Sequence, residues 1–375
     1  MSRPIRAVPG VRRYALPGGA ALLLHPDRQR LFLLNETAHF LWRMFERFDC
    51  SRLPSKLASR FAISADQAQR DVGAVLAEWQ ASGLLEDSAD ETQTRPITRN
   101  SGVLDQTMGS ERFRVGTAVV SVRAPASLLR SLMPLWGHLR TDVASPDLDC
   151  LLQVDEAGAG SLTINGVSCL DGLQAGSLVG ALYRAILEHL YPATRWSAMI
   201  HAGAVANNGN ALIISAPSGF GKSTLVAYLV ARGFEYLSDD LAALTHDGSV
   251  TPFPLPISVK SGAAPALAPF YSQIDAAVRE GAQYIVQNAD FLGPARPAKA
   301  LLFPKYLAGA TTRFEKLKVE NALASLLNDQ IFFGYPIGET ELSKFLRWLC
   351  TADLHALTYS RFEEAELCIR QMMQG

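Results

Sequence analysis

The residues best suited to chemistry lie in the stretch from Ala211 to Asp240, which reads ALIISAPSGFGKSTLVAYLVARGFEYLSDD. A short apolar run, Ala211 to Ser215, has the composition of a buried strand. The turn Pro217-Ser218-Gly219-Phe220-Gly221 follows, and Lys222-Ser223-Thr224 opens an apolar segment that stops at Gly233. Strand, glycine turn, Lys-Ser/Thr and helix, in that order, are what a phosphate-binding loop requires. Backbone N–H groups of Ser218 to Thr224 and the helix N-terminus would face a polyphosphate with partial positive charge. Lys222 would reach the outer phosphates, and the Ser223 hydroxyl would take a Mg²⁺ position. The usual motif opens with glycine, whereas this chain has Ala216. A second short strand, Phe234 to Ser238, ends in Asp239-Asp240, a carboxylate pair suited to holding Mg²⁺ and accepting a proton from an attacking hydroxyl.

Upstream stands His201-Ala202-Gly203, with Lys222 twenty-one residues after His201 and Asp239 seventeen after Lys222. In these motifs and intervals the stretch resembles the HPr kinase/phosphorylase family and its HPr-kinase-related relatives. The resemblance implies a P-loop-containing, phosphoenolpyruvate-carboxykinase-like catalytic domain that moves a phosphoryl group from ATP or a related nucleotide to a hydroxyl on a protein or peptide. It implies Asp239 as base, Asp240 sharing metal duty with Ser223, and His201 orienting the carboxylate or the transferred group. HPr-kinase-related chains carry similar proline-punctuated and Phe-Pro-basic stretches downstream. Lys260, Lys305 and Arg313 therefore become candidates to neutralise phosphate charge. The HPr kinases assemble, so the resemblance also raises a homo-oligomer.

At 375 residues the chain has room for two or three domains. With 48% hydrophobic and 19% charged residues it can bury substantial cores, and a formal net charge of −1 gives no reason to expect nucleic acid or an acidic membrane surface as partner. The five cysteines are scattered without metal-ligand spacing, which fits reduced thiols in a cytoplasmic setting. No run approaches the roughly 18 apolar residues needed to span a bilayer.

Residues 1–87 follow a separate pattern. Ala20 to Leu24 and Arg30 to Leu34 predict two strands joined by a turn, and Asn35 or Thr37 can cap a helix striped by Leu41, Met44, Phe45 and Phe48. Leu53, Leu57 and Phe61 predict a second helix. Ser64 caps a third, striped by Val72, Val75, Leu76 and Trp79. Strands with three short helices suggest a winged-helix unit. DNA binding is the plain expectation for one, yet Gln67, Gln69, Arg70, Asp71 and Glu78 leave the third helix without a positive face. Through Leu33-Leu34-Asn35-Glu36-Thr37-Ala38, Asp71-Val72 and Gly83-Leu84-Leu85, the segment resembles the PqqD-like recognition domains found with enzymes that modify ribosomally made peptides. That resemblance implies a leader peptide taken as an added strand on the sheet edge beside the third helix.

Residues 88–102 read as a linker, and 103–375 as the catalytic domain, giving an α+β or α/β chain. Within it, Phe113 to Val122 is expected as one strand and Ala126 to Leu139 as a helix. Cys150 to Val154 with Ser161 to Ile164 should form a strand pair, and Leu173 to Leu190 one long helix. Ala300 to Phe303 is expected as a strand, and Glu339 to Met373 as helix, strand and helix. The leading expectation is a kinase acting on a Ser or Thr hydroxyl of a precursor peptide. A nucleotide-dependent small-molecule kinase and a non-catalytic nucleotide-gated binding module stay open beside it.

Overall fold

In the computed structural model, the described residues are 5–87, 107–174, 177–253, 255–271, 282–285, 293–328, 330–334 and 336–374. The expected linker, 88–102, lies outside them. The chain is mixed α/β and divides into two compact units, one of Met1–Thr98 with Lys318–Leu327, the other of Arg99–Leu317 with Asn328–Gly375.

In the first unit, Arg12–Ala15, Ala21–His25 and Arg30–Leu34 form an antiparallel meander in that spatial order. Helix Glu36–Phe45 starts where the Asn35 side chain accepts the Ala38 N–H at 2.9 Å, so Asn35, not Thr37, is the cap, and Phe48 lies beyond the last turn. Ser64 caps helix Ala65–Ser82 in the same way, accepting from the Gln67 N–H at 3.2 Å. Helix Leu53–Phe61 lies between them. One face of the sheet turns Leu23 and Leu34 into a core with Leu41, Trp42, Leu57 and Trp79, where the two indoles meet edge to face at 5.0 Å.

Alternation along Ala21–His25 sends Leu22 and Leu24 to the opposite face, and both are buried too. A segment from late in the chain also belongs to this unit. Helix Val319–Leu327 packs by the Arg30–Leu34 strand and buries Ala322, Leu323 and Leu326 completely. Burying each leucine is worth about 1.5–3 kcal/mol, so the 319–327 helix is a structural part of the N-terminal unit. The outer edge of Arg30–Leu34 keeps no strand partner among the described residues.

The second unit holds a five-stranded sheet and a ten-stranded one. The smaller corrects two expectations. Phe113 to Val122 is not one strand: Met108–Val115 and Ala118–Pro125 fold back on each other around Gly116-Thr117. The expected helix from Leu173 begins only at Leu178, because Val167–Gln174 is a strand paired with Ala159–Ile164. Helices Ala126–Trp136 and Leu178–Leu190 cover this sheet and pack Trp136 on Tyr183.

Four strands of the larger sheet carry the glycine turn's surroundings. Asn210–Ile214 pairs antiparallel with Gly203–Asn207 and parallel with Arg296–Tyr306, which runs parallel to Asp353–Tyr359 in turn. Strands running the same way end on the same side of a sheet, where crevices for ligands form in open α/β sheets. Glu235–Ser238 pairs beyond Gly203–Asn207 and brings Asp239-Asp240 close by.

Leu323→Ala should lower stability by about 2–5 kcal/mol and speed amide hydrogen exchange in the 21–34 strands far more than in the 203–214 hairpin. Equal acceleration in both would contradict the assignment of the 319–327 helix to the N-terminal unit.

Candidate functional site

The strand Asn210–Ile214, the turn 216–221 and helix Lys222–Ala231 follow one another without an intervening element. Gly221 sits at the helix N-cap with φ +91°, and Gly219 has φ +92°, backbone that side-chain-bearing residues rarely adopt. A Cβ on Gly221 would also stand 3.1 Å from Tyr306 Cβ and 3.3 Å from the Tyr359 hydroxyl. The turn is fastened from outside. The Tyr306 N–H donates to the Phe220 carbonyl at 3.0 Å, Lys260 Nζ donates to Ser218 Oγ at 2.8 Å, and Lys305 lies 5.8 Å above the Phe220 ring. The opening N–H groups of a helix have no partner within it, so this end offers donors and positive dipole.

Lys222 does not point to open solvent. Its ammonium donates to Asp239 Oδ1 at 3.1 Å and to Asp240 Oδ1, and it is only 7% exposed. Asp239 is completely buried; it also accepts the Ser258 N–H at 3.1 Å and the Ser223 hydroxyl. Burial pushes the Asp239 carboxyl above its usual range despite the neighbouring ammonium. Burial works the same way on Asp240, but there the charge and hydrogen bond of Lys222 win and hold the carboxyl low. For Lys222 the two carboxylates outweigh burial and raise its pKa.

The backbone is bent to make this cluster. Asp240 has φ +64°, a left-handed conformation that aspartate tolerates and most residues do not. His201 Nε2 stands 3.6 Å from Asp240 Oδ1, while its backbone N–H donates to the Gln330 carbonyl at 2.7 Å. Gly203 explains the His-Ala-Gly pattern: a Cβ there would lie 2.5 Å from Val226 and 3.1 Å from Asp239 Oδ1. Only glycine lets this strand approach both the helix and the buried acid.

A cavity of about 500 Å³ opens over the turn, within the range of small-molecule sites. His201, Ser218, Gly219, Gly221, Lys222, Ser223, Thr224, Asp240 and Lys260 all line it. Asp239 does not; it lies behind Lys222. Phe220 and Lys305 flank the turn without lining the cavity, and Arg313 is exposed on Arg313–Lys316 away from it. Lining residues outside the sequence-derived set include Ser258, Tyr306, Tyr359 and Phe362. The proline-punctuated run before Ile257 hinted at the first and the Phe-Pro-basic stretch at the second, but nothing local marks the last two.

Ser223 and Asp240 at the cavity wall, with Asp239 behind, are hard oxygen donors of the kind Mg²⁺ prefers. Among the described residues no group of three or more His, Cys, Asp or Glu is placed to hold a metal alone. Such a donor set fits an ion whose remaining ligands are phosphate oxygens and water.

Residues 20–85 match the family model described as Coenzyme PQQ synthesis protein D (PqqD). The N-terminal unit thus contains a PqqD-like domain. No curated protein matches the chain. Among the described residues no helix is long and apolar enough to cross a membrane.

Burial, with help from the Lys222 charge, holds His201 below the ordinary histidine pKa against the pull of Asp240 and Asp239. The folded chain thus binds fewer protons here than the unfolded one. The contribution to stability is complete above about pH 6.5 and is lost as the pH falls from there through the native value. An NMR titration should give His201 a midpoint below 6.5; a midpoint at or above it would contradict this account.

Proposed function

We propose that the chain is a nucleoside-triphosphate-dependent kinase. In this reading the PqqD-like domain holds the leader of a ribosomally made precursor peptide, and the second unit phosphorylates a Ser or Thr hydroxyl on that peptide. One observation carries it: a positive-φ glycine turn at a helix start, with its lysine clamped between the buried Asp239 and the half-buried Asp240 on the wall of a ligand-sized cavity.

The turn 217–224 would cradle the β- and γ-phosphates with backbone N–H groups, and Lys260, already on Ser218, stands ready as a second cation. Phosphate oxygens give the Lys222 ammonium an alternative to its carboxylates. As it moves toward them, Asp239 Oδ1 loses its shield and its strongest charge partner. A buried carboxylate in that state has a raised proton affinity, which suits a general base. The acceptor hydroxyl oxygen then attacks the γ-phosphorus, the bond to the nucleoside diphosphate oxygen breaks, and the hydroxyl proton passes to Asp239. His201, neutral at pH 7, keeps Asp240 oriented. Ser223, Asp240 and the phosphates would hold Mg²⁺, which would supply charge neutralisation for the transferred group.

The edge of Arg30–Leu34, without a strand partner among the described residues, favours an extended peptide over a small molecule as the acceptor's carrier, since an added strand satisfies its backbone groups. A nucleotide-gated binding module has no use for a buried carboxylate positioned behind the phosphate-facing lysine.

Incubation with Mg·ATP and a precursor peptide whose leader the N-terminal unit binds should add one phosphoryl mass to a Ser or Thr outside the leader. Deleting the leader should raise KM more than it lowers kcat, because leader binding is remote from the chemistry. Asp239→Asn should lower kcat by about 10²-fold or more with nucleotide affinity nearly unchanged, and added Mg²⁺ should restore part of the Asp240→Asn activity. A full, metal-independent loss in Asp240→Asn with Asp239→Asn active would move the base to Asp240. No phosphopeptide from the wild type would overturn the proposal.

A further inference from the structure

The cavity has a part that the transfer chemistry does not use. Beside Gly221 stand Tyr306, from the end of Arg296–Tyr306, and Tyr359, from the end of Asp353–Tyr359; Phe362, from the start of Phe362–Gln374, lines the same cavity. Tyr306 stacks on Phe362 at 18° between ring planes and meets Tyr359 edge to face at 5.6 Å. Two features ask for a ligand. Tyr306 lines the cavity and is 44% exposed, so its ring is open to a bound molecule. Tyr359 has no residue exposure at all, and its hydroxyl is buried with no hydrogen-bond partner. A buried hydroxyl without a partner is costly, and this one stands 3.3 Å from where a Cβ on Gly221 would lie, in reach of a molecule bound at the turn.

Resting on the reading of 217–224 as a phosphate-binding turn, we infer that this aromatic end is the nucleoside subsite of the phosphoryl donor. The base stacks on Tyr306, which Phe362 braces from behind. The Tyr359 hydroxyl donates to a ribose oxygen of the donor. Placement supports this division. The carboxylates gather around Lys222, where transfer occurs, whereas Tyr306 and Tyr359 stand beside Gly221. A base laid against rings is held through its π-face, and stacking of this kind tolerates different bases. The small residues Gly262, Ala263 and Ala266 line the cavity too and leave room for a flat ring.

Calorimetric titration of the full chain with Mg·ATP and with Mg·tripolyphosphate tests the inference, because the second probe has the phosphates and no nucleoside. The wild type should bind Mg·ATP about 5–100-fold more tightly. Tyr306→Ala, at an exposed position, should erase that preference and leave Mg·tripolyphosphate affinity unchanged. Tyr359→Phe removes one oxygen and no ring, and should weaken Mg·ATP by about 5–10-fold. Equal affinity for the two probes in the wild type, a preference that survives Tyr306→Ala, or equal losses for both probes would overturn the nucleoside subsite while leaving the phosphate turn standing. Failure of both probes to bind would instead reject the phosphate turn, and this inference with it.

Discussion

One buried ammonium between two carboxylates governs the second unit. Lys222 and Asp239 are almost entirely withdrawn from water, and removing one member of such a pair costs about 3–5 kcal/mol because the other is left charged and unpaired. Much of the neighbouring sequence serves this arrangement. Gly203 vacates the space that Asp239 needs, Ser258 and Ser223 satisfy its remaining lone pairs, and Asp240 adopts a left-handed backbone to face the same nitrogen. The cluster carries more negative than positive charge, and the cation beside it belongs to the segment that would meet phosphates. That makes it an arrangement whose partners can be exchanged.

The first unit answers a different constraint. A three-stranded meander needs apolar cover, and this one has it on both faces: helices from 36–82 on one, and buried Leu22 and Leu24 on the other, with the 319–327 helix belonging to the same unit. Among the described residues no strand pairs with the outer edge of Arg30–Leu34, by which helix Val319–Leu327 packs. Such an edge is a hazard in a protein without a partner for it and a recognition device in one that has it. Because the 319–327 helix is woven into this unit, deleting residues 1–98 would strip its cover, so point changes and altered peptides are cleaner probes than truncation.

What the sequence made legible was what is local. Asn35 and Ser64 as caps, the two core stripes, the glycine turn and the helix at Lys222 each depend on neighbours a few residues away. Two elements misled. Gly116-Thr117 reads as part of an alternating run although it reverses the chain, and Val167–Gln174 is too polar and glycine-interrupted to announce a strand. The aromatic end of the cavity was invisible for another reason. Tyr306 and Tyr359 meet only because Arg296–Tyr306 and Asp353–Tyr359 pair in parallel with those two residues in register. Parallel pairing joins segments far apart in sequence and leaves no signature in either. The burial of Asp239 behind Lys222 was hidden likewise, since spacing placed both residues near phosphate without showing that they hold each other.

The exchange of partners by Lys222 is therefore the claim on which the functional account turns, and the side-chain ammonium itself reports it. In protein labelled with ¹⁵N-lysine, the Lys222 Nζ resonance, assigned by its loss in Lys222→Arg, should show slow proton exchange in the free chain, as a buried ammonium bonded to carboxylates does. Saturating Mg²⁺ with a non-hydrolysable ATP analogue should shift that resonance, and should shift the Asp239 side-chain carboxyl carbon along with it. A Lys222 resonance unmoved by a nucleotide that calorimetry shows to be bound would contradict the account, because it would leave the lysine as the permanent counter-ion of the acid pair.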